Sequence, residues 1–250
     1  MKRTVKMGSV LLVCQMLVGA VFADYIQGHL WNWKSDFVNN VNLATPVNPA
    51  ADATGSSDVW RYTYNTNDAT SAAVRNVGRL DMGLALDNGA TGVWGQDTGT
   101  TWGTHAYVRG TPGTDVWRIT PGPNVSGIAV LSQLVWTAPT DATIRIHGNV
   151  IHAETLGNGA LWYLDVNQSS TYSALTAGAV YNSSEAIDMT ITVAAGDEIV
   201  FSADANGGAS NDFINYDVVY EIIPEPATVS LLVVSASVLL LARRVAFKKY

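Results

Sequence analysis

The sequence predicts an all-β protein, a two-sheet antiparallel β-sandwich set between two apolar ends. Apolar and polar residues alternate at a period of two in many short segments, as in strands that bury one face. Stretches rich in Gly, Asn, Asp and Thr separate these segments, and from Val59 on no convincing amphipathic helical pattern interrupts them. A chain of 250 residues has room for one such domain, or at most two small ones, beside its ends.

Residues 1–23 have the order of a secretory signal peptide. Basic residues open the segment, an apolar stretch follows, and small residues lead to a cleavage site after Ala23. We therefore expect export and processing by signal peptidase. The one cysteine of the chain, Cys14, lies inside this segment, so the mature chain is expected to contain no disulfide and no thiol nucleophile.

Residues 24–57 show little apolar alternation and are interpreted as an irregular N-terminal arm or edge strand. Two tryptophans, Trp31 and Trp33, stand in this stretch. We expect both rings to fasten the arm to the sandwich domain that follows, residues 58–223, because large aromatic side chains gain much from burial.

Around ten strands are predicted in the sandwich domain. They cover residues 59–64, 80–86, 105–108, 116–120, 128–137, 143–150, 161–166, 172–180, 186–193, 199–203 and 214–222. The aromatic row Trp60, Tyr62 and Tyr64 is interpreted as core rather than as a surface platform. So many short strands, joined by polar loops, indicate a sandwich of the jelly-roll type.

The clearest hairpin joins the strands at 186–193 and 199–203. Its first apolar row consists of Ile187, Met189, Ile191 and Val193. A turn at 194–197 reverses the chain, and Ile199 and Phe201 resume the buried face.

Residues 224–250 are organised differently from the body. A Pro-Glu-Pro motif at 224–226 ends the strand pattern, since proline cannot donate to a sheet ladder. Residues 227–242 then run without a charge over about 24 Å of helix, slightly short of a hydrocarbon core of ~30 Å. Arg243 and Arg244 follow, as is typical of the cytoplasmic side. The sequence thus predicts a single transmembrane helix with the body outside and the basic tail inside.

This tail resembles the PEP-CTERM sorting signal of Gram-negative bacteria, in which a Pro-Glu-Pro motif precedes a short spanning helix and an arginine-rich end. The resemblance covers about residues 224 to 244 and places the recognition motif on Pro224, Glu225 and Pro226. It implies a transient anchor in the inner membrane, processing by an exosortase-type protease, and release to the cell surface or an exopolysaccharide matrix. The alternative is a permanent C-terminal anchor that is never cut.

The segment from Trp136 to Asp217 also resembles the all-β ectodomain that often precedes this signal. The residues that carry the resemblance are Trp136-Thr137-Ala138-Pro139, the strand of Ile144 and Ile146 that ends at Gly148, the stretch 193–201, and a Gly/Asn loop leading to Asp212. The resemblance implies a galactose-binding-like or jelly-roll module of unassigned function.

The charge of the body argues against nucleic acid and anionic lipid as partners. Half of the 14 basic residues lie in the two ends, so residues 24–223 keep 7 basic side chains against 20 acidic ones. A domain this acidic repels polyanions.

Carbohydrate is the ligand class that the aromatic content favours. All 8 tryptophans lie in the body. Trp94 and Trp102 stand in a Gly/Thr-rich stretch, 88–104, where no alternation demands burial, and Asp97 and His105 lie nearby. Loop aromatics can stack on sugar faces while polar neighbours bond the hydroxyls. These four residues form the candidate site for exopolysaccharide. The alternative is that the loop tryptophans fold back over the core.

A structural calcium ion is the candidate cofactor. Oxygen ligands surround the turn at Gly207-Gly208, and they are Asp204, Asn206, Asn211 and Asp212. The spacing is not that of an EF-hand, because position 12 counted from Asp204 is Asn215 rather than Glu. A solvated turn without metal is the alternative.

The chain carries no recognisable enzyme motif, whether a Gly-x-Ser-x-Gly, a His-Glu-x-x-His, a phosphate loop or a dinucleotide fingerprint. Its glutamates Glu154, Glu185, Glu198 and Glu221 are scattered. The sequence therefore predicts a non-enzymatic surface or matrix protein that is structural or binds polysaccharide. One alternative is a glycan-active enzyme, a hydrolase or lyase on the same scaffold. Another is a purely structural matrix protein that self-associates without affinity for sugars.

Overall fold

The computed structural model describes residues 30–41, 47–52, 58–67, 71–86, 92–95, 106–110, 117–125, 128–153, 159–167, 169–175, 183–206 and 212–223. The chain divides into two units, one formed by Trp31–Tyr220 and the other by Met1–Leu30 with Glu221–Tyr250. The first unit carries the sandwich. Of the second unit, the structure describes the exposed Leu30 and residues 221–223.

Within the described residues the chain forms strands and two short helices. In chain order these are β1 (Leu30–Asn32), α1 (Trp33–Val41), β2 (Trp60–Asn65), α2 (Ala72–Arg75), β3 (Leu80–Asp81), β4 (Gly83–Leu86), β5 (Gly92–Gly95), β6 (Tyr107–Gly110), β7 (Trp117–Thr120), β8 (Gly122–Val125), β9 (Ile128–Thr137), β10 (Ala142–His152), β11 (Leu161–Val166), β12 (Ser169–Leu175), β13 (Ser184–Val193), β14 (Glu198–Asp204) and β15 (Ile214–Ile222).

The strands form two sheets, and the predicted two-sheet antiparallel sandwich is confirmed. The first sheet has the order β13-β10-β15-β7-β6-β5-β4, with β1 paired to β15 outside this path. The second has the order β12-β11-β14-β9-β2-β3, with β8 paired to β9. The hairpin predicted at 186–203 joins β13 to β14, so its two strands lie in different sheets and do not pair with each other.

Aromatic side chains fill the space between the sheets. Tyr216 of β15 lies 4.1 Å from Phe201 of β14, and Tyr220 lies 5.3 Å from Trp136 of β9, measured between ring centroids. All four rings are buried. Because each contact joins one sheet to the other, these rings hold the two layers together.

Three tyrosines of this core have perturbed acidity. Burial raises the pKa of Tyr62, Tyr216 and Tyr220 above the ordinary value of 10, because it disfavours the charged phenolate. The hydroxyls of Tyr216 and Tyr220 are hydrogen-bonded to each other at 2.8 Å.

We expect the protein to unfold steeply in alkali. Above pH 10 the unfolded chain loses phenolic protons that the fold retains, so stability falls by up to about 1.4 kcal/mol per pH unit for each of the three tyrosines. Below the unfolded pKa this contribution is fully present. Thermal midpoints and tyrosinate absorbance measured across pH 8 to about 12 check the prediction. Ionisation of these phenols in a protein that remains folded would contradict it.

The N-terminal arm is part of the core. Trp31, Trp33 and Phe37 are each 1 % exposed or less, and Trp31 packs edge-on against Trp136 at 5.2 Å. The prediction that the two tryptophans fasten the arm is confirmed. Within the predicted irregular arm or edge strand, residues 30–32 form a short strand, β1, that pairs with β15, whereas the expectation is wrong for residues 33–41, which form the helix α1. One turn of α1 places positions 33 and 37 on the same face, a helical spacing that a search for strand alternation misses.

Two buried aspartates fix the arm through indole N–H groups. Trp31 Nε1 donates to Asp52 Oδ2 at 2.9 Å, and Trp60 Nε1 donates to Asp36 Oδ2 at 2.7 Å. A buried carboxylate is costly unless it accepts hydrogen bonds, so each bond favours one placement of the arm.

The strand predicted at 80–86 is two strands in different sheets. β3 pairs with β2 in the second sheet, and β4 pairs with β5 in the first. Met82 marks the crossing: its N–H donates to the carbonyl of Tyr62 at 3.0 Å, and its side chain is buried. A chain that changes sheets in this way makes a corner of the sandwich.

A buried polar cluster lies between α2 and the second sheet. Arg75 Nε and Nη2 donate to the Asp165 carboxylate at 3.1 and 2.8 Å, and the Asn76 amide donates to the same group at 2.8 Å. The Arg75 guanidinium also lies 3.9 Å from the centre of the Tyr163 ring. Gln133 Nε2 donates to the Arg75 carbonyl at 3.0 Å. The cluster therefore fastens α2 across β9 and β11.

Candidate functional site

The structure places Trp94 on β5 and buries it. Its ring is 3 % exposed and stacks on Tyr62 at 5.7 Å with an interplanar angle of 13°. The prediction that Trp94 lies in a loop is therefore wrong, and its indole offers no open face for a sugar. The other members of the predicted group, Trp102, Asp97 and His105, lie outside the described residues.

The remaining described tryptophans serve the core. Those with 1 % exposure or less are Trp31, Trp33, Trp60, Trp136 and Trp162. Trp117 is half-buried and packs edge-on against Trp33 at 5.7 Å and Phe37 at 6.0 Å. Packing thus accounts for every tryptophan that the structure describes.

The outer face of β10 and β13 presents polar side chains to solvent instead. The two strands pair in ten consecutive positions, from Ala142 opposite Val193 to Ile151 opposite Ser184. The inner rows, which include Ile144 and Ile187, face the core. We call the outer rows the β10–β13 polar face, and its residues are Thr143, Arg145, His147, Asn149, Asp188, Thr190 and Thr192.

Cross-strand bonds hold the polar face in one arrangement. Arg145 Nε and Nη2 donate to the two carboxylate oxygens of Asp188 at 2.8 and 2.9 Å. The hydroxyls of Thr143 and Thr192 lie 3.4 Å apart, and His147 stands directly opposite Asp188. The two charged side chains remain 44 % and 61 % exposed, so their outward faces are open to a ligand.

The Arg145 hydrogen bond is the largest influence on the acidity of Asp188. This bond, together with the charges of Arg145 and His147, lowers the pKa of the Asp188 carboxyl below its ordinary value. The carboxylate is therefore ionised at neutral pH. A carboxylate accepts and a guanidinium donates, so the pair offers both partners that a sugar hydroxyl needs.

Two of the candidate calcium ligands come to one end of the sandwich. Asp204 ends β14 opposite the first residue of β11, and Asp212 Oδ1 accepts from the N–H of Gly159 at 3.1 Å, just before that strand. Asn206 donates its N–H to Asp204 Oδ1 at 3.2 Å. Asn211 lies outside the described residues.

Calcium binding stays a prediction. Among the residues that the structure describes, no three His, Cys, Asp or Glu side chains are grouped so as to hold a metal ion. One oxygen of Asp204 and one of Asp212 already accept backbone N–H groups, as they would in a turn without metal.

Of the four scattered glutamates, the structure describes two in the first unit, Glu185 and Glu198, and they lie in different sheets. Glu185 lies on β13 of the first sheet, and Glu198 lies on β14 of the second sheet, where it is ion-paired with Arg79. Glu154 lies outside the described residues, and Glu221 belongs to the second unit.

The proposed sorting residues Pro224, Glu225, Pro226, Arg243 and Arg244 lie outside the described residues, as do residues 1–23 and 227–242. In the part of the chain that the structure describes, no helix has the length and apolar character needed to cross a membrane.

Comparison with known proteins identifies no family. No family model matches the chain, and no curated protein matches it.

Solved structures give low-scoring matches. A family 35 carbohydrate-binding module from an environmental isolate is 16 % identical, covers 46 % of this chain and 77 % of its own, and has a TM-score of 0.29. The family 35 module from Paenibacillus barcinonensis is 15 % identical, covers 53 % and 98 %, and also scores 0.29. An isomalto-dextranase from Arthrobacter globiformis T6, complexed with panose, is 15 % identical, covers 64 % and 23 %, and scores 0.29. At these scores the matches assign neither ligand nor activity to this chain.

Proposed function

We propose that this chain is an exported, non-catalytic component of the cell surface or extracellular matrix that binds polysaccharide through the β10–β13 polar face. The observation that carries the proposal is the exposed Arg145–Asp188 pair, held bidentately between hydroxyl side chains on two long paired strands. A ligand that meets groups already fixed in position loses less affinity to ordering them.

The charge distribution favours an uncharged polysaccharide. Basic side chains of the body are engaged by carboxylates, in the pairs Lys34–Asp217, Arg61–Asp81, Arg75–Asp165, Arg79–Glu198 and Arg145–Asp188. Residues 24–223 carry 20 acidic side chains against 7 basic ones, and Asp58 and Asp141 are among the acidic side chains that the structure shows exposed, so the body keeps a negative field. An acidic polysaccharide would be repelled by this field, whereas a neutral one would not.

The binding proposal is tested by comparing alanine substitutions at two exposed arginines, one on the β10–β13 polar face and one outside it. The full chain, purified in mild detergent, is titrated calorimetrically with neutral exopolysaccharide from the producing cells. Arg145→Ala is expected to weaken binding about tenfold, as loss of a charge-assisted hydrogen bond does. Arg61→Ala removes a similarly exposed ion pair on the second sheet and should leave affinity unchanged. Equal affinities for all three proteins, or no binding by any, would refute the proposal.

The same mixture tests the absence of catalysis. We expect no release of oligosaccharide from the polymer over long incubation. Release that disappears in the Glu154→Gln variant would favour the glycan-active enzyme instead.

Sorting through the C-terminal signal is also part of the proposal. Its support is the order of features in the sequence: a Pro-Glu-Pro motif, an uncharged stretch at 227–242 and a basic end. Mass spectrometry of material recovered from the cell surface should find chains that lack this stretch. Recovery of chains that still end at Tyr250 would support the permanent anchor.

A further inference from the structure

Strand β13 forms a long and regular edge of the first sheet. It is the last strand in the sheet order, and β10 occupies one of its sides without a bulge over ten residue pairs. No other strand in the described part of the chain pairs with its opposite side. The edge of such a strand presents backbone N–H and C=O groups that can pair with another strand.

The other sheet edges are shorter or less regular. β3 has 2 residues, β4 has 4, and the pairing of β12 with β11 contains a register shift. β13 has 10 residues, and its segment Ser184–Val193 contains no proline and no lysine, the residues that commonly block edge pairing. It is the described edge best suited to accept a strand.

We propose that β13 pairs antiparallel with β13 of a second copy of this chain. A two-fold axis normal to the sheet relates the two strands, so each face continues onto the same face of the partner. With the axis at Met189, Ile187 lies opposite the partner's Ile191, and Asp188 lies opposite the partner's Thr190. The apolar residues at positions 187, 189 and 191 then meet one another, Glu185 lies opposite the partner's Val193 at the end of the pairing, and no carboxylate meets its own copy.

A second register, shifted by one residue, is also compatible with the sequence. With the axis at Thr190, Met189 lies opposite the partner's Ile191, and Asp188 lies opposite the partner's Thr192. The charge of Asp188 is already balanced by Arg145 of its own chain. Both registers therefore avoid like charges at the seam.

The proposed β13–β13 pairing rests on the strand edge and not on the proposed function. It nevertheless has a consequence for ligand binding. The sheets of two copies become continuous, so the two β10–β13 polar faces form one surface across the seam. A dimer whose two sites engage the same polymer binds it with higher avidity than either site binds alone.

A cysteine scan tests the seam directly. The Cys14→Ser chain contains no thiol, so one cysteine is introduced into it at a time, at Met189 or at Thr190. Residues on the axis of an antiparallel pair have Cα atoms about 4.5 to 5.5 Å apart, within the range of a disulfide. Mild oxidation of the full chain in detergent is expected to give a disulfide-linked dimer from one of these two positions.

The matched control is Thr143→Cys, on the same outer face as Thr190 but one strand in from the edge. It should yield little dimer under the same conditions. If the Thr143→Cys variant formed as much dimer as the β13 variants, the disulfides would result from random collision. If neither β13 variant formed a disulfide-linked dimer, the edge would be unpaired. Either result overturns the proposal.

A charge variant provides a second measurement without touching the core. In Thr190→Asp/Thr192→Asp, one new carboxylate lies opposite the partner's Asp188 in either register, and both substitutions are on exposed side chains. The dimer fraction from light scattering is expected to fall about fivefold at low ionic strength and to recover partly in salt. An unchanged dimer fraction, with unaltered circular dichroism, would place any association elsewhere on the molecule.

Discussion

Replacing Asp165 by alanine should lower the free energy of unfolding by about 3–5 kcal/mol, because it leaves the Arg75 guanidinium buried without its carboxylate. Asp165 is fully buried and the Arg75 side chain is 3 % exposed. The Asn76 amide that donates to the same carboxylate loses its acceptor as well. Urea unfolding, followed by circular dichroism, measures the loss.

Two further variants separate this effect from a general loss of charge. Asp188→Ala breaks the exposed pair with Arg145 and should hardly move the thermal midpoint, because exposed ion pairs contribute little. Arg75→Met/Asp165→Leu removes both buried charges and should cost much less than Asp165→Ala alone. If Asp165→Ala proved as mild as Asp188→Ala, the cluster between α2 and the second sheet would not be the anchor described above.

Gly148→Ala should destabilise the protein by about 3 kcal/mol or more, because β10 and β15 approach too closely for a side chain. A Cβ at this position would lie 2.1 Å from the carbonyl oxygen of Asp217 and 2.8 Å from the Cα of Val218, both backbone atoms. The backbone of Gly148 also has a φ of +142°, which other residues rarely adopt. Thermal and urea unfolding of the variant check the prediction.

Gly196→Ala is the matched control for this clash. Gly196, in the turn after β13, also has a positive φ, of +89°. Among the described residues, however, no atom outside its immediate chain neighbours lies within 4 Å of the place that an alanine methyl would occupy. Gly196→Ala should therefore lower the free energy of unfolding only by the cost of holding alanine at a positive φ, about 1–2 kcal/mol. Similar losses for the two variants would mean that β15 can move away from β10 and that the close approach is not rigid.

Long alternating segments make the architecture predictable from the sequence. β9 has the predicted bounds, and β13 and β15 lie close to theirs. β15 buries every second residue and β13 alternates between exposed and less exposed positions, whereas β9 is buried at every position from Val130 to Trp136. The expectation that the strand of Ile144 and Ile146 ends at Gly148 is wrong: β10 continues to His152, since the glycine is still paired with Ile187.

Short elements are not predictable in the same way. β5 has 4 residues, too few for alternation to stand out in a Gly-rich stretch, so the sequence pattern favours a loop at Trp94. The crossing at Met82 is equally local, and it is decided by the packing of both sheets rather than by the residues around it.

The candidate site depends on pairings that the sequence does not contain. Alternating polar residues mark the outer rows of β10 and β13 separately, but the register that sets Arg145 beside Asp188 joins segments 43 positions apart. The Arg75–Asp165 pair spans 90 positions. Tryptophan content misleads for a related reason, since composition does not distinguish a ring that faces a ligand from one that fills the core.

The contact between α1 and the last strand of the first sheet bears on the order in which the chain can fold. The indole N–H of Trp33 donates to the carbonyl of Tyr216, 183 positions later. The N-terminal segment is synthesised first and must therefore wait, with its indole rings in water, until the final strand is available. Incomplete chains expose apolar surface that chaperones and proteases recognise, whereas complete chains bury it. Completion of synthesis is therefore what makes the protein resistant to degradation.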